Sequence, residues 1–151
     1  MERRDAMRIL IDGDGCPVVD VTIAIGQEYG VAVLLFCDTS HSFSQRDCTV
    51  ITVSQGADSV DFALVNQVQP GDIIVTQDYG LAAMCLARKG RPIRQDGMIY
   101  REENIDSLLF VRYTAKKAHR AGYHLKGPAK RTKEADEAFA KSLRQLLAES
   151  L

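Results

Sequence analysis

Short apolar stretches separated by helix-length segments constrain the fold of this chain more than any other feature. Arg8-Ile9-Leu10-Ile11 is the first stretch, Val31 to Phe36 the second, Thr49 to Val53 the third and Asp72 to Thr76 the fourth. Each is strand-sized, and the second is apolar throughout, as a strand buried on both faces requires. Pro17 suits the first turn of a helix reaching about Tyr29, with Gly30 as its stop. Residues 37–48 are polar and read as a loop. Gly56-Ala57-Asp58 opens a helix to about Val68, with Val60, Leu64 and Val68 on one face. Pro70-Gly71 marks a turn. Asp78 starts a third helix that ends near Lys89-Gly90, and Met84 and Leu86 read as core. Ile93 and Ile99-Tyr100 suggest short strands. Ile105 to Ala121 and Lys133 to Leu151 read as closing helices around a 122–132 loop. The alternation predicts an α/β fold in three layers, a mostly parallel sheet with helices on both faces. It predicts one domain over 7–151, with 1–6 disordered.

With 151 residues, 46% of them hydrophobic, the chain is long enough to bury a core without staples. No apolar run approaches the roughly 18 residues of a membrane helix. The charged start, Met1-Glu2-Arg3-Arg4-Asp5, is unlike a secretory signal. A cytoplasmic chain with no membrane partner is the expectation; homo-oligomerisation stays open. The four cysteines, Cys16, Cys37, Cys48 and Cys85, form no C-x-x-C pair, which disfavours a zinc site or a disulfide framework.

Charge is distributed unevenly. Residues 1–106 carry 16 acids against 9 bases, whereas 107–133 carry 8 bases and no acid. Those bases are Arg112, Lys116, Lys117, Arg120, Lys126, Lys130, Arg131 and Lys133. Tyr113, His119, Tyr123 and His124 are interleaved with them. An acidic body followed by a basic segment suits a site that holds metal and attracts a polyanion. A solvated helix face with a basic loop has the same composition.

The acids fall at strand ends and helix starts. Asp12 and Asp14 follow the first strand, Asp78 follows the fourth, and Asp58 and Asp61 stand three apart at the middle helix. In an open parallel sheet, ligands bind beyond the carboxyl ends of the strands. Five carboxylates gathered there would repel unless a cation joined them. Hard oxygen donors select Mg²⁺ or Mn²⁺, ions that polarise phosphodiesters. Taken singly, each Asp is also ordinary turn or cap chemistry.

The block Ile9-Leu10-Ile11-Asp12-Gly13-Asp14-Gly15-Cys16-Pro17-Val18 resembles the opening of the YaiI/YqxD family, bacterial proteins of unassigned function. Gly56-Ala57-Asp58-Ser59-Val60-Asp61 resembles its second block. Gly71-Asp72-Ile73-Ile74-Val75-Thr76-Gln77-Asp78-Tyr79-Gly80-Leu81-Ala82 resembles its third, and Gly127-Pro128 also fits. That family is in turn similar to PIN-like and NYN-like nuclease domains. The resemblance implies that Asp12, Asp58 or Asp61, and Asp78 are metal ligands, and that Thr76 orients the Asp78 loop. The chain departs from the nuclease pattern at position 80, where Gly80 stands in place of a further acid; Asp14 or Asp96 is the candidate to compensate.

Three readings follow. The first is a Mg²⁺- or Mn²⁺-dependent ribonuclease or phosphodiesterase. Asp12, Asp61 and Asp78 are its catalytic acids, and Asp12, Asp14, Asp58, Asp61 and Asp78 its metal set. Thr76 supports them, and Arg112, Lys116, Lys117, Arg120, Lys126, Lys130 and Arg131 hold RNA. The second is a non-catalytic RNA-binding or protein-interaction module on the same scaffold. The third is a haloacid-dehalogenase-like phosphatase with Asp12 as nucleophile, which the absence of any lysine before Asp78 opposes. Cys16, ahead of a helix start, is expected to have a lowered thiol pKa, although no histidine lies near it in sequence to act as base.

Overall fold

The computed structural model describes residues 7–13, 16–38, 48–53, 59–107 and 131–150. Among them, five strands form one parallel sheet in the order β3-β2-β1-β4-β5. β1 is Arg8–Asp12, β2 Ala32–Asp38, β3 Thr49–Val53, β4 Ile73–Val75 and β5 Arg91–Ile93. α1 (Val19–Tyr29) links β1 to β2, α2 (Ser59–Gln67) lies between β3 and β4, and α3 (Tyr79–Ala87) links β4 to β5. A helix α4 is described over 102–107, and α5 is Lys133–Ser150.

Strand pleating divides the core in two. Ile9, Ile11, Val33, Leu35, Ile73, Val75 and Ile93 pack against Val19 and Ile23 of α1 and against Phe139, Leu143, Leu146 and Leu147 of α5. The alternate residues Leu10, Phe36 and Ile74 meet Val60 and Leu64 of α2, Val68 just beyond it, and Leu81 and Cys85 of α3. Period-two alternation thus feeds two helical layers, giving the three-layer α/β architecture that the sequence predicted. The Val60-Leu64-Val68 face is buried as expected. Met84 is not: it lies on the outer side of α3, 40% exposed, because Leu81, Ala82 and Cys85 already supply that helix's inner face.

β1 and β4 are the central pair, with Ile9 opposite Ile73 and Ile11 opposite Val75. The residues flanking this register are also joined. At the start of the strands, Arg8 donates from Nη2 to Asp72 Oδ2 at 2.7 Å and to the Gln67 carbonyl at 2.6 Å. Asp72 is 2% exposed and also accepts from the Gln69 amide at 2.9 Å. A carboxylate so deeply placed is tolerable only because its partners replace the water it lost.

The far edge of β5 is closed by a return segment. Ile99 bridges antiparallel to Ile93, and the Tyr100 amide donates to the Pro92 carbonyl at 3.1 Å. Pro92 lacks an N–H, which an edge strand tolerates. The intervening turn presses on α5: a Cβ at Gly97 (φ 95°) would lie 2.6 Å from the Ala138 carbonyl oxygen. Only glycine fits both that angle and that approach.

Asp72→Ala is expected to destabilise the protein by about 3 kcal/mol in urea unfolding, since it leaves the Arg8 charge without its counter-ion and the Gln69 amide without its acceptor. An unfolding midpoint unchanged from wild type would show that this pair does not pin the central strands.

Candidate active site at the carboxyl edge of the sheet

Strand order reverses at β1 and β4: the chain passes from β1 to β2 and β3 on one side, then returns to β4 and β5 on the other. Adjacent carboxyl ends at such a point open a crevice between their loops. Thr76, directly after β4, is fully buried there. Its hydroxyl donates to Asp12 Oδ2 at 2.8 Å and accepts from the Asp78 amide at 3.0 Å. Asp78 caps α3 from an extended backbone, with Oδ1 accepting from the amides of Gly80 at 2.9 Å and Leu81 at 3.1 Å. Capping satisfies amides that would otherwise have no partner in the first helical turn. One hydroxyl therefore orders both acids. The contact with Asp78 is through its backbone amide, not its carboxylate.

Gly13 makes the approach to Asp12 possible. Its amide donates to the Phe36 carbonyl at 2.8 Å. A Cβ there would fall 2.7 Å from that oxygen, so the turn out of β1 lies flat against β2.

Asp61 stands in the first turn of α2. The buried Cys85 thiol is pushed up to about 12, first by desolvation and then by the negative charges of Asp61 and Asp12. Both acids thus act on one atom behind the crevice. Among the described residues, however, no three His, Cys, Asp or Glu side chains gather closely enough to hold a metal ion. Asp12, Asp61 and Asp78 do not complete a cage by themselves. Asp14 and Asp58, the other members of the expected set, lie outside the described residues.

Of the bases expected to hold RNA, Arg112, Lys116, Lys117, Arg120, Lys126 and Lys130 also lie outside them. Arg131 is engaged within the fold: its Nε donates to Asp136 Oδ1 at 2.6 Å and its Nη2 to the Gln95 carbonyl at 2.7 Å. It ties the start of α5 to the turn after β5.

Cys16 corrects the sequence expectation. Its thiol is raised to about 11, because burial outweighs the lowering by the backbone hydrogen bond at Val18 and by the Arg131 charge, while the Asp12 charge adds to the rise. The described helix starts only at Val19, which weakens any dipole effect at position 16.

A group that sequence reasoning missed stands beside Asp78. Tyr79 and Tyr100 meet edge to face, with ring centroids 5.9 Å apart. Tyr100 donates to the Thr76 carbonyl at 3.1 Å. Arg94, just past β5, forms a forked ion pair with Asp96 at 2.9 and 2.8 Å and donates to the Tyr79 hydroxyl at 3.2 Å. Asp96, named above as a substitute for the missing acid at position 80, is held well below the usual carboxylate range by that guanidinium. No sequence signal joined Arg94 to Tyr79.

A family model described as "Uncharacterized BCR, YaiI/YqxD family" matches residues 10–149. The chain belongs to this family. A YaiI/YqxD relative from Exiguobacterium sibiricum, named only "UPF0178 protein", is 53% identical over 143 residues, covering 95% of this chain and 98% of its own. A UPF0178 protein of Ruminiclostridium cellulolyticum is 49% identical, covering 91% and 90%. One from Clostridium acetobutylicum is 46% identical, covering 93% and 97%. No solved structure matches. These relatives carry no assigned activity in their names. Among the described residues, no helix is long and apolar enough to cross a membrane.

Two outcomes test this geometry. Thr76→Val removes the hydroxyl from two partners and is expected to cost about 2 kcal/mol in urea unfolding. Thr76→Ser keeps the hydroxyl and should lose about 1 kcal/mol, for its methyl group. Equal losses in the two variants would deny the hydroxyl its role. Separately, the raised Cys16 pKa means less thiolate at pH 8 than in a free cysteine. Peptide-mapped alkylation of Cys16 in native protein should be slow at pH 8 and climb toward pH 11; rapid labelling at pH 7 would contradict the burial argument.

Proposed function

We propose that this protein is a divalent-metal-dependent phosphodiesterase acting on RNA, built on a PIN-like scaffold. The observation that supports this reading is the Thr76 hydroxyl, which donates to the Asp12 carboxylate and accepts from the Asp78 backbone amide at the switch point of the sheet. Carboxylate oxygens are the donors that Mg²⁺ and Mn²⁺ select. Asp12, Asp14, Asp58, Asp61 and Asp78 would hold the ion. When bound, such an ion supplies Lewis-acid stabilisation of the charge that develops at phosphorus.

The chain's own residues do the positioning. Thr76 fixes the Asp12 carboxylate through Oδ2, and the α3 amides fix Asp78 through Oδ1. Fixed carboxylates need no reorganisation when a substrate arrives. The basic segment 107–133 supplies the attraction for a polyanion. A second reading, an RNA-binding module without catalysis, is favoured by Gly80 and by the incomplete gathering of acids among the described residues.

Asp12→Asn and Asp78→Asn decide between them. Asparagine is itself a good N-cap, so Asp78→Asn should fold. Both variants are expected to lose Mn²⁺-dependent RNA cleavage by more than the roughly 10–100-fold that removal of an outer-sphere partner costs. A wild-type protein that binds no divalent ion by calorimetry sinks the phosphodiesterase reading. RNA binding without cleavage under any divalent ion selects the second.

A further inference from the structure

Arg94 is held with unusual care for a side chain near the surface. Its turn is anchored twice to α5, by the close approach of Gly97 to Ala138 and by the Arg131 bond to the Gln95 carbonyl. Its side chain is 27% exposed, and its guanidinium is clamped on one side by both oxygens of Asp96. Those bonds use Nε and one N–H of Nη2, and the Tyr79 hydroxyl takes one N–H of Nη1. One N–H on each terminal nitrogen has no partner among the described residues. The Tyr79 oxygen accepts from Arg94, so its own proton is directed elsewhere as a donor.

The result is three donors on one small surface, beside a carboxylate already clamped by the same guanidinium. Tyr79 directly follows Asp78, and its ring rests on Tyr100, whose hydroxyl is bonded to the backbone of Thr76. The charges of Arg94, Asp96 and Asp78 all act on the Tyr100 hydroxyl, which places the group at the same edge as the acids. A ligand suited to donors alone offers acceptors alone. A phosphodiester does so through its two non-bridging oxygens, and an arginine fork matches their geometry.

We propose that Tyr79 and Arg94 form a phosphate subsite for the RNA backbone next to the scissile bond. This rests on the RNA-directed reading of the neighbouring acids. The Tyr79 hydroxyl and the outward N–H groups of Arg94 donate to the non-bridging oxygens of the adjoining phosphodiester. Asp96 acts as a positioning residue: it holds the guanidinium plane so that the remaining N–H groups point outward.

The test is binding without cleavage. Fluorescence anisotropy of a labelled single-stranded RNA oligonucleotide, measured in chelator over a series of salt concentrations, reads affinity and its salt slope. Tyr79→Phe keeps the ring pair and removes one donor; Arg94→Gln removes the fork and its charge; Arg94→Lys keeps the charge alone. Each is expected to weaken binding about tenfold, as loss of hydrogen bonds to a charged group does. Arg94→Gln should also flatten the slope of log affinity against log salt by about 0.7, the value for one phosphate contact on a single strand, while Tyr79→Phe leaves the slope unchanged. A purely structural role for Arg94 would not move that slope. If wild type binds and all three variants bind equally well, the subsite is wrong and the proposed reaction stands. If the variants weaken as stated but no divalent ion supports cleavage by wild type, the subsite stands and the reaction does not. If wild type binds no RNA, both fall.

Discussion

β1 and β4 are neighbours only because the chain, after adding β2 and β3 on one side, comes back across β1. Their register offset of 64 residues fixes more than the ladder. Arg8 with Asp72 and Asp12 with Thr76 carry that same separation, one pair at each end of the strands. The central ladder is thus locked by side chains where it begins and where it ends. A slip of one residue would break both bonds and turn every apolar side chain of β1 to the wrong layer. The core and the candidate site therefore depend on one register.

The two ends differ in what they leave behind. At the start of the strands, Asp72 is saturated by Arg8 and the Gln69 amide and is almost wholly buried, so it serves stability alone. At the carboxyl end the same construction uses a hydroxyl in place of a guanidinium. A neutral hydroxyl orders the Asp12 carboxylate, and backbone amides order that of Asp78. The charges of Asp61 and Asp12 also act on the buried Cys85 thiol. Arg94, just past β5, is matched to Asp96 in the turn packed on α5.

That turn depends on the last helix. α5 lies far along the chain, yet Phe139, Leu143, Leu146 and Leu147 complete the layer that covers Ile9, Ile11, Ile73 and Val75. Packing of α5 also sets the space that only Gly97 can fill and brings Arg131 to Gln95. Membership of the YaiI/YqxD family covers this helix too, since the match extends to residue 149.

The sequence by itself determined the alternation of strands and helices, the cap at Asp78, the end of α1 at Gly30 and the inward face of α2. These are local: they follow from apolar period, capping chemistry and turn residues within a few positions. It also marked Asp12, Thr76 and Asp78 as one group through family resemblance. Tertiary structure alone decided which pairs meet. Nothing local couples Tyr79 to Arg94, or Arg131 to Gln95, because those contacts arise from the order of strands and the docking of α5. Burial likewise reversed the expectation for Cys16, and the crowded inner face of α3 put Met84 outside. Periodicity reports what a segment can bury; only the assembled sheet shows which partner it buries against, and with what charge nearby.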